Sequence, residues 1–370
     1  MLTRFAVKGF KSLVDVELPL SQVTVLVGPN NAGKSNILKA LDFLARVIRE
    51  DLGRVITLSG GLDAIRSKAR QIPLEFSLSA RFDSWQVDYE LRPPQNTDQG
   101  VERFSATGPA KIEAWWTTQG IQFNLNGASE RVGGGWVGST LSELARSGKC
   151  EPAMRLHSFL AGMTVADFSP SALREASQVI PNAVLEHSGR NLAAVLDLLD
   201  GTRPDVRARI DDAVRTAVPS VTRVVTVPAD QAGFKTLGIA EGSAAFRAEH
   251  VSDGILLFIA LSTVAQMSGG KTVVGLEEPD KGIHPRRIRE ILDQVYRVAN
   301  EGSQFLITTH SPVLLNEFKD HPEAVLIVER DEQGTHVSQL SQQPDLEEQL
   351  RNVQLGDLWF SGVLGGVPKR

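Results

Sequence analysis

Val23-Thr24-Val25-Leu26-Val27-Gly28-Pro29-Asn30-Asn31-Ala32-Gly33-Lys34-Ser35 is the stretch on which the reading of the fold turns. Its first five residues are apolar or β-branched with no alternation, as expected of a strand covered on both faces. Gly28 ends that run, and residues 28–35 satisfy the pattern G-x-x-x-x-G-K-[ST]. Beyond Ser35, the apolar residues Ile37, Leu38, Leu41, Leu44, Ala45 and Ile48 recur at helical spacing. A strand, a glycine loop and a helix in that order let backbone N–H groups converge on phosphate oxygens. In such a loop Lys34 bridges the terminal phosphates and the Ser35 hydroxyl holds Mg2+. The alternative is a chance glycine loop at a strand–helix junction, which the complete pattern with both flanks outweighs.

The rest of the chain sets bounds on this reading. At 370 residues it can bury one large core or two modest ones, and 42% hydrophobic with 22% charged residues is ordinary for a globular protein. A net charge of -5 gives no global footprint for nucleic acid or an anionic membrane, although a local basic patch is compatible with it. The single cysteine, Cys150, excludes an internal disulfide framework and a zinc site built from several thiolates. The first residues lack the basic-then-apolar run of a secretory signal. The longest apolar stretch, near Ile255 to Ala265, falls short of the ~20 residues of a membrane helix. The expectation is a soluble cytoplasmic protein with no membrane partner.

Residues 5–10 and 14–18 read as short strands ahead of the glycine loop. From Leu74 to Leu91 the pattern alternates strictly, with a turn at Asp83-Ser84, which reads as a hairpin with one solvated face. Alternation at 112–116 and 121–125 extends an antiparallel sheet, punctuated by loops at 93–98 and 133–135. Residues 141–217 read as helical, most clearly at 191–199, with Gly201 and Pro204 as the stop. Buried-type strands follow at 272–276 and 304–308. These divisions give an expected organisation of 1–80 as the first part of the core, 81–140 as a β insertion and 141–230 as a helical lobe. Residues 231–345 complete the core, and 346–370 form a tail.

Three further segments carry candidate chemistry. Thr272-Val273-Val274-Gly275-Leu276-Glu277-Glu278-Pro279 delivers two acids to the end of an apolar strand. There Glu277 would approach Mg2+ and Glu278 would orient or activate an attacking water. The plainer reading is two solvated acids capping the next helix. In Thr308-Thr309-His310-Ser311-Pro312, His310 follows another apolar strand and could sense a γ-phosphate, where a lone histidine in a turn would usually mean nothing. In Val251-Ser252-Asp253-Gly254-Ile255, Ser252 is either a helix N-cap or part of a second anion site.

In order, GPNNAGKSN, VSDGI, VVGLEEPDKGIHP and ITTHSP resemble the Walker A, signature, Walker B with D-loop, and H-loop of ABC-type ATPases. The nearest likeness is to the SMC/RecF/OLD-like branch of AAA family ATPases. Phe10-Lys11-Ser12, Ser169-Pro170-Ser171-Ala172-Leu173-Arg174, Gly189-Arg190-Asn191-Leu192 and Leu358-Trp359-Phe360-Ser361-Gly362 are similar to that group as well. The resemblance implies an α/β P-loop NTPase of ABC/SMC-head-like fold, with a mixed β-sheet lobe and a helical lobe. It implies ATP and Mg2+ as cofactors, the nucleotide held by Gly28, Pro29, Asn30, Asn31, Ala32, Gly33, Lys34, Ser35 and Asn36. Ser35 and Glu277 would hold the metal, and Glu278, His310 and Lys34 would serve hydrolysis. Ser252 and Gly254 of a second copy would complete the site, with Lys281-Gly282-Ile283-His284 crossing the interface.

The sequence departs from the family pattern in places. Glu277 stands where an aspartate is usual, and the signature reads Ser-Asp-Gly rather than Ser-Gly-Gly. No Q-loop glutamine is placed, and no coiled-coil arms or Toprim nuclease segment are read. The leading expectation is an ATPase that dimerises on ATP and controls a separate effector, as in anti-phage systems. The alternative is a DNA repair or recombination ATPase, with Arg286, Arg287 and Arg289 as phosphate contacts. A transporter subunit and an intrinsic nuclease rank below these.

Overall fold

The unbroken apolar runs of the sequence end up side by side. The computed structural model describes residues 1–68, 72–94, 100–117, 120–132, 139–267, 271–351 and 353–366. Its six-stranded sheet has the order Thr164–Ala166, Val273–Glu277, Gln304–Thr309, Val23–Val27, Val325–Asp331, Gly334–Gln339. The first five strands are parallel and the last returns antiparallel. Every residue of Val23–Val27 is buried. Val25 and Val27 join one hydrophobic core with Ile307, while Leu26 joins a second with Leu306 and Val328. A strand walled by two cores has no solvated face, so its sequence need not alternate.

The alternating segments build a separate antiparallel sheet of eight strands. Its order is Leu13–Pro19, Leu2–Phe10, Glu75–Phe82, Trp85–Arg92, Val101–Thr107, Lys111–Thr117, Gly120–Leu125, Ala128–Val132. The register Phe76 to Leu91, Leu78 to Tyr89 and Ala80 to Val87 collects one apolar face. That face shares a core with Ile37, Leu38, Leu41 and Leu44 of the helix Lys34–Arg49, which touches both sheets. Each Phe or Leu fully buried there contributes roughly 1.5–3 kcal/mol.

The hairpin expected at 74–91 and the strands near 112–116 and 121–125 are present. Val101–Thr107 escaped the sequence reading because an acid, Glu102, points inward with Phe104 and Ala106. Its carboxylate accepts the Tyr89 hydroxyl at 2.7 Å and the Leu141 N–H at 3.4 Å, so the polar group is satisfied. The loop expected at 133–135 and residues 95–98 of the loop at 93–98 lie outside the described residues.

The stretch 141–217 is not helical throughout, and this corrects the reading above. It contains Thr164–Ala166, which pairs in parallel with Val274–Leu276 at the end of the six-stranded sheet, and the two-residue strand Ser177–Gln178. Strands this short carry no periodicity to detect. The helix read at 191–199 is Leu192–Thr202, which runs through Gly201. Pro204 opens the next helix, Pro204–Ala217, in the first-turn position where its missing N–H costs nothing. Strands Arg223–Pro228, Phe234–Glu241 and Ala244–Arg247 pair beside these helices. The helix Asp253–Met267 is buried from Leu256 to Gln266. Among the described residues no helix is long and apolar enough to cross a membrane.

Candidate nucleotide site

Parallel strands release their chains at one edge of the sheet, and the candidate residues gather there. Register sets their heights: Thr308 pairs with Leu26 and with Glu277, and Ala166 pairs with Leu276. The segments leaving Val27, Glu277, Thr309 and Ala166 are therefore neighbours. Glu277 accepts a hydrogen bond from the Ser35 hydroxyl, which joins the glycine loop to the acidic strand end across the sheet.

The loop at 28–35 folds as its glycines require. Asn31 and Gly33 take left-handed backbone, at φ 64° and 116°, and the helix Lys34–Arg49 begins immediately after. A Cβ on Gly28 would run into the Val328 carbonyl oxygen, and one on Gly33 into the Thr335 hydroxyl. These glycines thus serve the approach of the hairpin Val325–Asp331 and Gly334–Gln339 as well as the loop turn. Thr335 Oγ1 donates to the Ala32 carbonyl at 2.9 Å, and Asn36 Nδ2 donates to Ser12 Oγ at 2.8 Å. Arg330 Nη1 reaches Asn31 Oδ1 at 3.2 Å. Lys34 is 5% exposed, and its ammonium donates to the Gly28 and Pro29 carbonyls at 2.7 and 3.0 Å. Burial pulls its pKa down, and the charges of Glu278 and Glu277 oppose that shift.

Glu278 has φ 45°, unusual for a non-glycine residue. Its N–H donates to the Thr308 carbonyl at 3.0 Å and to the Thr308 hydroxyl at 3.1 Å, which fixes the kink. His310 Nδ1 lies 3.1 Å from Glu278 Oε1, so the second acid and the histidine are brought together. Beside them Thr309 Oγ1 donates to Asp280 Oδ1 at 2.9 Å, and burial raises the Asp280 carboxyl above its usual range. The helix Leu355–Phe360, which carries the start of the tail motif, braces this corner: Gly356 N–H donates to Asn316 Oδ1 at 2.7 Å, with Leu358 and Trp359 buried.

Ser252 and Gly254 are set apart from this group. Among the described residues no hydrogen bond or ion pair joins either one to residues 28–36. Ser252 is exposed, its carbonyl receives the N–H groups of Ile255 and Leu256, and Gly254 sits against Gly282. Arg174 holds the segment, donating to Val251 O at 2.9 Å and to Asp253 Oδ1 at 2.6 Å. Arg286 and Arg289 are exposed on the helix Pro285–Asn300.

Sequence reasoning missed Ser12, Thr335 and Arg330. Ser12 alone carried a signal, through the Phe10-Lys11-Ser12 motif. The acids and hydroxyl at the sheet edge suit a hard divalent cation such as Mg2+, which takes oxygen ligands and keeps several waters. Ser35 Oγ and the Glu277 carboxylate are the side chains already in contact there.

The comparisons with known proteins bear on the class of fold. A family profile described as "AAA ATPase domain" matches residues 1–84. A second, described as "AAA domain, putative AbiEii toxin, Type IV TA system", matches residues 165–316. An OLD nuclease of Thermus scotoductus is 52% identical over 44 residues, 12% of this chain and 8% of that protein. UvrABC system protein A of Deinococcus radiodurans is 23% identical over 305 residues, 80% of this chain and 26% of that protein. The chain thus spans about a quarter or less of the length of these relatives. The crystal structure of an SmcHead bound to the C-winged helix domain of ScpA superposes with a TM-score of 0.54 at 16% identity. That match covers 94% of this chain and 99% of the other and shows a shared fold. Fold and site define a P-loop NTPase with an SMC-head-like core. Residues 1–84 and 165–316 match AAA-family ATPase domains, and the fold they share is that of an SMC head.

Proposed function

We propose that this ATPase is a switch that closes as a homodimer on ATP and controls a separate effector protein. The observation that carries the reading is the split of the candidate residues into two groups. Residues 28–36, Glu277, Glu278 and His310 meet at the sheet edge, whereas Ser252, exposed, and Gly254, half-buried against Gly282, lie apart from them with no hydrogen bond to residues 28–36 among the described residues. A second copy arranged head to tail brings Ser252 and Gly254 of the partner subunit over the phosphates, where an exposed helix N-terminus favours an anion. In this reading Gly28 to Asn36 hold the nucleotide and Lys34 exchanges its backbone carbonyl partners for phosphate oxygens. Glu278, oriented by its fixed kink and by His310, accepts the proton of the attacking water. The Mg2+ held by Ser35 and Glu277 supplies charge neutralisation at the phosphates when bound. The profile described as a putative AbiEii toxin of a Type IV TA system matches residues 165–316 and supports a place in a toxin-type system; the reading extends this to a cytoplasmic anti-phage role with the effector on another chain.

A second reading, DNA repair or recombination, is supported by the similarity to UvrABC system protein A along 80% of the chain. The experiment for the first is size measurement of the Glu278→Gln protein with saturating ATP. A shift to dimer is expected, and a protein that binds ATP yet stays monomeric refutes the sandwich. For the second, DNA affinity that falls steeply with salt is expected, and no measurable binding refutes it.

A further inference from the structure

The edge strand Thr164–Ala166 ends beside Glu277 and delivers Asp167, a residue with no part in the site as described so far. A loop returning from the helical lobe brings His187 to the same place. Asp167, His187 and Glu277 each offer a ligand atom within 4.8 Å of the others. To share one ion at bonds of about 2.0–2.2 Å, atoms at the far end of that spread would close by roughly half an ångström to an ångström each, which side-chain rotation can supply.

The histidine is prepared for ligation. Its Nδ1 is 2.8 Å from the Val165 carbonyl, which can only accept, so the neutral ring carries its proton on Nδ1 and leaves Nε2 as the atom to ligate. The Asp167 N–H donates to the His187 carbonyl at 2.9 Å, locking the two segments to each other. The motif Gly189-Arg190-Asn191-Leu192 holds the loop from behind. Asn191 accepts from the Glu186 N–H at 2.9 Å and donates to the Val184 carbonyl at 2.7 Å. Gly189, at φ 77°, is pressed on Phe168 and Leu173, where a Cβ would come within 2.7 Å of both. Both exposed side chains, Asp167 and His187, are thus carried on braced backbone.

From this we infer that Asp167, His187 and Glu277 form one divalent-cation site whose imidazole selects a first-row transition ion, such as Mn2+, over Mg2+. Mg2+ binds oxygen ligands, whereas a mixed set of imidazole and carboxylates suits transition ions. The inference rests on the proposed role of Glu277 as a metal ligand, and the Ser35 hydroxyl bonded to Glu277 connects the site to the phosphate loop.

The test uses the full chain with Mn2+ as the probe, read by pulsed electron paramagnetic resonance. A directly bonded nitrogen is expected in the Mn2+ spectrum of the parent protein and is expected to vanish in His187→Gln. Mn2+ affinity should fall about tenfold or more in His187→Gln and in Asp167→Asn. A tenfold excess of Mg2+ should displace Mn2+ from His187→Gln and not from the parent. No nitrogen signal in the parent protein, or a signal that survives in His187→Gln, overturns the inference. A non-hydrolysable ATP analogue added to the same samples separates the two readings. If the nitrogen signal is present and the bound analogue leaves it unchanged, the cation site stands and the assignment of Glu277 to the nucleotide's metal falls.

Discussion

The two large sheets share a core and a helix but divide the labour of the molecule. In the antiparallel sheet successive strands leave at opposite ends, so its chain ends are not gathered at one edge and its polar residues spread over a face. They pair across that solvated face, as Arg4 with Glu17 and Ser79 with Asp88. Such exposed pairs contribute about 0–1 kcal/mol each. In the six-stranded sheet the parallel strands all leave at one edge, and four consecutive neighbours are followed there by Asp167, Glu277, His310 and Gly28. Charged side chains give a wet surface in one sheet and a candidate site in the other, because chain direction differs.

The strongest way to break this comparison is at the parallel edge. Glu278→Gln should lower the ATP hydrolysis rate by roughly 10²–10⁴-fold while ATP binding is retained, measured by phosphate release and by titration with a fluorescent nucleotide. Lys34→Ala should cost roughly 10²–10³-fold and weaken nucleotide binding as well. Hydrolysis that survives either change at the parent rate would remove the edge from the chemistry.

The antiparallel sheet should instead respond in stability. Glu102→Ala strands the buried Tyr89 hydroxyl and should cost about 1–3 kcal/mol in thermal or denaturant unfolding, with hydrolysis at low temperature unchanged. Burial holds the Glu102 carboxyl above its usual value, against the hydrogen bonds it accepts. The unfolded chain therefore ionises first as pH rises. Stability from this group is complete below the usual glutamate pKa and is lost as pH rises through the higher folded value. Glu102→Gln should flatten that decline, and equal pH profiles for the two proteins would contradict the burial argument.

A smaller effect is expected at Arg174, which ties the helical lobe to the Val251–Asp253 segment. In the Glu278→Gln background, Arg174→Ala should weaken ATP-driven dimerisation about tenfold, the order of one charged hydrogen bond, and leave nucleotide binding by the monomer intact. The smallest concerns Trp115, 38% exposed on the solvated sheet face. Trp115→Ala should change stability by about 0.5 kcal/mol or less and hydrolysis not at all.

How much of this was legible beforehand depends on distance along the chain. The strand Val23–Val27, its loop and the helix Lys34–Arg49 are contiguous, so the sequence showed them nearly residue for residue. The hairpin Glu75–Phe82 and Trp85–Arg92 was equally plain, because one solvated face writes alternation into the sequence. Val101–Thr107 was obscured by an inward acid whose partner, Tyr89, belongs to another strand. Thr164–Ala166 was hidden in a helical stretch, being too short to show a period.

By itself the sequence determined that a phosphate loop is present, and that two acids and a histidine follow buried strands. Each of those statements concerns a few consecutive residues, for which local backbone geometry suffices. Only the tertiary structure decided that Ser35 meets Glu277, that Ser12 and Thr335 buttress the loop, and that Asp167 and His187 come to the same edge. Those meetings depend on the register of parallel strands joined through long crossovers, and strands buried on both faces carry no local pattern that reveals their neighbours.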